Sequence, residues 1–123
     1  MDTTLQLPAA LYEAARTLGQ ALAADDYVSA YREARARAEA DATATGLEQR
    51  LATLYEELLA RQQAGETLSQ EQRTAFYDLR RQVQTQPSLI ARDEALAQLK
   101  PVLADLAAEI SMILEVDYTA LAR

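Results

Sequence analysis

The sequence predicts an all-α fold: about five helices in an antiparallel bundle with long helical arms, forming one domain over residues 1–123. Three observations carry this expectation. Leucine occurs 19 times, while valine and isoleucine together occur seven times, a balance that favours helix over strand. Large apolar residues recur at spacings of three and four, which is helical periodicity. Glycine and proline occur only three times each, too few to punctuate a chain of short strands.

The first predicted helix spans residues 8–24. Pro8 suits its first position, where a missing N–H is no loss. Leu11, Leu18 and Leu22, with Ala14 and Ala15 between them, form its apolar stripe. Asp25 and Asp26 mark a break, and either carboxylate can cap the next helix. That second helix covers residues 27–41. Tyr27, Tyr31, Ala34 and Ala38 share one narrow face, and Arg32, Glu33, Arg35, Arg37 and Glu39 cover much of the rest. Alanine is densest here, so this face is the expected place for close packing against another chain.

The third helix is expected to open at Thr45-Gly46-Leu47-Glu48, which fits a capping box. Leu47, Leu51, Leu54 and Leu58 follow on one face, widened by Tyr55 and Leu59. Gly65 can end it in the left-handed conformation that glycine tolerates. The short turn after Gly65 makes the third and fourth helices antiparallel neighbours. Ser69-Gln70-Glu71-Gln72 is a second capping box, and Phe76, Leu79 and Val83 form the following seam. This helix must stop before Pro87. The last helix starts near Pro87 or Ser88 and runs to about residue 117. Leu96, Leu99, Leu103, Leu106, Ile110 and Ile113 keep one register across Pro101, which predicts one helix kinked there, not two helices and a loop.

Composition also excludes functions. With no cysteine there is no disulfide, thiolate zinc site, cysteine-ligated cluster or thiol nucleophile. With no histidine there is no Ser-His-Asp triad and no His-carboxylate metal site. Metals and cofactors are therefore expected to be absent. A formal charge of −7 argues against a nucleic-acid face. No apolar run approaches the ~20 residues of a membrane span. Met1-Asp2-Thr3-Thr4 lacks the basic region of a signal peptide, so a cytoplasmic location is expected. The adjacent acids Glu56-Glu57, Asp93-Glu94 and Asp25-Asp26 point about 100° apart on a helix and do not converge on one ion. Of 61 hydrophobic residues 26 are alanine, which leaves a thin core and suggests self-association.

Several segments together resemble the YlbF/YmcA family of small helical bacterial proteins, described as control-of-competence regulators. The likeness covers residues 11–117. It rests on Asp25-Asp26-Tyr27 with Ala30-Tyr31-Arg32-Glu33-Ala34, and on the glycine turn Ala64-Gly65-Glu66 with Ser69-Gln70-Glu71. Its third part is Gln86-Pro87 with Leu89, Ile90, Glu94, Leu96 and Leu99. Gln86 stands where the family usually has asparagine. The resemblance implies an all-helical, self-associating regulator without catalytic residues. It also implies an adaptor role, in which relatives join related proteins to steer an endoribonuclease and thereby affect competence and biofilm formation. Some such complexes hold iron–sulfur clusters through cysteines, a feature that this cysteine-free chain cannot share.

The first functional reading is thus a cytoplasmic adaptor that binds itself, and a ribonuclease or related regulator, with no nucleic acid or membrane as direct partner. Tyr27, Tyr31 and Arg35 on the second helix and Leu106, Ile110 and Ile113 on the last are its candidate interface residues, since tyrosine and arginine are favoured in interfaces. The second reading is a self-assembling helical scaffold or holdase-like protein with no dedicated partner. The third, an enzyme, requires at least three carboxylates in one pocket.

Overall fold

The computed structural model describes residues 7–122, and every regular element among them is a helix. There are six: α1 (Ala9–Ala23), α2 (Asp26–Ala40), α3 (Ala42–Gln63), α4 (Gln70–Gln84), α5 (Pro87–Leu114) and the single-turn α6 (Tyr118–Leu121). The expectation of an all-α bundle holds, with one short helix added at the end.

Most boundaries follow from local chemistry. Pro8 is the residue before α1 rather than its first helical residue. Asp25, not Asp26, caps α2, its Oδ2 accepting the N–H groups of Tyr27 at 2.9 Å and Val28 at 3.1 Å. The tip of the α3–α4 hairpin closes as expected. Gly65 has φ +87°, its N–H donates to the Gln62 carbonyl, and the Glu66 N–H donates to the Arg61 carbonyl. This pair of bonds is a Schellman motif, and it turns the chain within a few residues. At Ser69 both arms of the capping box form: Gln72 N–H to Ser69 Oγ at 3.1 Å, and Ser69 N–H to Gln72 Oε1 at 2.8 Å. α5 runs unbroken through Pro101, so no loop interrupts residues 99–103. It ends at Glu115, which sits in the left-handed region at φ 61°.

One expected start is wrong. Thr45 is not the cap of α3. Asp41 is, with its Oδ1 accepting Thr43 N–H at 3.1 Å and Ala44 N–H at 3.2 Å. Thr45 lies in the first turn, and its hydroxyl donates to the Ala42 carbonyl. A carboxylate upstream offers a stronger cap than a hydroxyl, because it carries charge toward the positive end of the helix dipole. α2 and α3 are therefore separated by Asp41 alone.

Two antiparallel pairs result, α2 with α5 and α3 with α4, and they meet at a junction. Ala38 of α2, Ala44 of α3 and Leu89 of α5 are buried together there, with Val83 of α4 packed against them. Asp41 ties the junction further: its Oδ2 accepts from Ser88 Oγ at 2.8 Å and Gln86 Nε2 at 3.2 Å. Arg92 adds a two-pronged ion pair from α5 to Glu48 of α3, at 3.1 and 2.9 Å. These carboxylate bonds hold the Arg92 guanidinium more firmly protonated than usual.

The core is as thin as the composition implies. Among the described residues the buried apolar set is Ala34, Ala38, Ala44, Leu47, Leu58, Leu89, Ala95 and Leu99. Two of these, Ala34 and Ala38, correct a second expectation. The alanine face of α2 is not left open for another chain, because small side chains let α5 approach closely and bury it. At 1.5 Å per residue α5 is about 42 Å long and α2 about 22 Å. The second half of α5 thus projects past its partner, and Leu103, Met112 and Ile113 are exposed there.

Candidate interaction surfaces

A chain of 13.6 kDa folded as a compact monomer exposes about 6,600 Å². This one exposes 9593 Å². The excess is not charged surface alone. α1 buries none of its residues, and Leu11 and Tyr12 are more than half exposed on it. Only its C-terminal end, near Asp25, is drawn onto α2. Three open apolar regions follow: α1, the end of α5 with α6, and the tip of the α3–α4 hairpin.

The hairpin tip has the most shape. Tyr55, Leu58, Leu59, Leu68, Phe76 and Tyr77 line a cleft of about 250 Å³, together with Gln62 and Arg73. Phe76 lies between the two tyrosines, with ring centroids 6.3 Å from Tyr55 and 5.7 Å from Tyr77, the latter edge to face. Both tyrosines are just over half exposed. The Arg73 guanidinium donates to Gln70 Oε1 at 3.2 Å and meets no carboxylate. A second, shallower cleft on the junction side of Tyr55 and Phe76 holds Arg80. Among the described residues Arg80 forms no ion pair, and Glu48 beside it is already engaged by Arg92.

The six interface candidates lie on α2 and on the second half of α5. Tyr27 is 48% exposed at the start of α2, and Tyr31, one turn on, is half-buried. Arg35 is exposed, but its Nε donates to Glu39 Oε1 at 2.8 Å, and this carboxylate keeps the guanidinium more firmly protonated. Leu106 and Ile110 are half-buried, while Ile113 is 76% exposed. Tyr31, Leu106 and Ile110 are thus partly covered by the chain itself. The hairpin cleft was missed by sequence reasoning. Its signal was there: Arg73, Tyr77 and Arg80 are spaced by four and three on α4, but two turns of spacing do not reveal that the arginines lack partners.

No group of three or more Asp or Glu able to hold a metal ion occurs among the described residues. No helix among them is long and apolar enough to cross a membrane. What the described residues offer is helical surface, some of it apolar and shaped. The chain belongs to the family described as Control of competence regulator ComK, YlbF/YmcA, which matches residues 11–115. No curated protein and no solved structure matches it.

Proposed function

We propose that the protein is a non-enzymatic, cytoplasmic adaptor that works as a homo-oligomer and recruits a ribonuclease or a related regulator. The observation that carries this reading is the surface excess of about 3,000 Å² over a compact monomer, together with large apolar side chains exposed on α1, at the end of α5 and at the hairpin tip. Open apolar helix faces are costly in water and mark sites of association. Membership of a competence-control family gives the regulatory setting. Tyr27 and Ile113, the most exposed hydrophobic members of the candidate set, are the proposed anchors, with Leu106, Ile110, Tyr31 and Arg35 around them.

Sedimentation of the purified chain at micromolar concentration tests the oligomer. A species heavier than 13.6 kDa is expected, and a stable monomer refutes it. Pull-down from the native host tests the adaptor role, with a ribonuclease or second regulator as the expected prey. The open Met112 and Ile113 also favour the holdase-like reading. That reading predicts suppressed aggregation of unrelated unfolded proteins, which an adaptor does not produce.

A further inference from the structure

We propose that the aromatic cleft of the α3–α4 hairpin is the seat for the α5–α6 end of a second copy of this chain, in an antiparallel dimer with two equal contacts. The inference rests on the self-association put forward above and names the surfaces that would carry it. On α4, Arg73, Tyr77 and Arg80 share one face, so an aromatic centre is flanked on both sides by arginines without carboxylate partners among the described residues. On α5, Asp105, Glu109 and Ile113 share a face at spacings of four, with Met112 beside Ile113. Glu115 and Asp117 follow. An apolar centre is thus flanked on both sides by acids. Met112 is 74% and Ile113 76% exposed.

Arg73 and Arg80 lie about 10 Å apart along α4, and Asp105 and Glu109 lie about 12 and 6 Å from Ile113 along α5. From residue 101 to 122 the chain carries four carboxylates and no lysine or arginine. α1, the other open apolar helix, carries one acid and one base, Glu13 and Arg16, and the Arg16 guanidinium sits 5.8 Å over the Tyr12 ring. Charge therefore selects the α5–α6 end as occupant.

The two surfaces cannot meet within one chain. The cleft is at the far end of the α3–α4 pair, and the acidic end projects from the α2–α5 pair, away from the junction that joins them. Two copies side by side and antiparallel bring each hairpin to the other's acidic end. That closes the symmetry with no site left open.

The test uses the full chain in two charge-reversed forms, Arg73→Glu with Arg80→Glu, and Asp105→Arg with Glu109→Arg. Each alone should weaken the dimer at least about tenfold in sedimentation, because like charges then face each other at both contacts. Mixed one to one, they should form a heterodimer close to wild-type strength, since both contacts are complementary again. Recovery on mixing also shows that both variants fold. Failure to recover overturns the proposal. A dimer untouched by either reversal overturns it too, while leaving self-association standing. So does one that survives both reversals but dissociates on Leu11→Glu, which assigns the interface to α1. A monomeric wild type removes self-association and this inference together. In a chain without cysteine, mixing Tyr77→Cys with Ile113→Cys should give one disulfide-linked heterodimer under oxidation, and its absence counts against the pairing.

Discussion

Asp41 accepts four hydrogen bonds: two N–H groups of α3 on Oδ1, and Gln86 and Ser88 on Oδ2. One side chain thereby starts a helix and fastens the junction of both helical pairs. The Ser88 hydroxyl first, and then the Ala44 N–H, hold its carboxyl below the ordinary 3.8. A carboxyl depressed in the native state contributes stability that is present above its unfolded value and lost as pH falls through the native one. Acid unfolding followed by circular dichroism should therefore show wild type losing stability below about pH 4, with Asp41→Asn losing less over that window. At neutral pH, Asp41→Ala should lower the melting temperature by several degrees, and by more than Asp25→Ala, which gives up two bonds at the lightly packed α1–α2 turn. The glycines give an opposed pair. Gly65 has φ +87°, and Gly65→Ala should cost about 1–2 kcal/mol. Gly46 is helical in the second turn of α3 and an added Cβ there meets nothing, so Gly46→Ala should gain about 0.5–1 kcal/mol in thermal or urea unfolding.

At the scale of elements, the helices whose ends are decided by near neighbours were legible in the sequence. Gly65 with its turn, the Ser69–Gln72 box and Pro87 each act within four residues, and each stands where expected. The start of α3 was not legible from its own box. Thr45 read as the cap, and the cap is Asp41, which is held by Gln86 and Ser88, more than 40 residues away. Periodicity likewise told which face of a helix is apolar without telling what covers it. The stripes of α1 and α5 look alike in sequence. Yet Leu89 and Leu99 of α5 are buried against α2, whereas Leu11 of α1 meets little. The same limit hid the hairpin cleft, since a cleft belongs to two helices and a turn together. Where an element packs, its cost can be assigned. Leu89 is 1% exposed at the meeting point of both pairs, so Leu89→Ala should lose about 2–5 kcal/mol in denaturant titration, the largest loss of any single leucine. The two-pronged Arg92–Glu48 bridge is partly solvated, and Arg92→Ala should cost only about 1 kcal/mol.

For the molecule as a whole, a thin core and a large surface are one property. Eight buried apolar residues, half of them alanine, hold together a chain whose helices extend in two pairs. Such a core is too small to carry the fold comfortably alone, so burial between copies should supply part of the stability. If so, unfolding is coupled to dissociation, and the melting temperature depends on concentration. The size of the effect follows from the unfolding entropy, about 2.1 cal/mol/K per residue, or about 0.5 kcal/mol/K for two copies. A tenfold rise in concentration is worth about 1.4 kcal/mol in the association equilibrium, which moves the transition up by about 3 °C. Calorimetry across two decades of concentration should show about twice that shift. A transition that stays put means that the monomer is self-sufficient. Ile110→Ala then separates the roles of α5. If the half-buried Ile110 supports a contact between copies, the variant melts lower and loses the concentration dependence. If it only packs within the chain, the variant melts lower with the dependence intact.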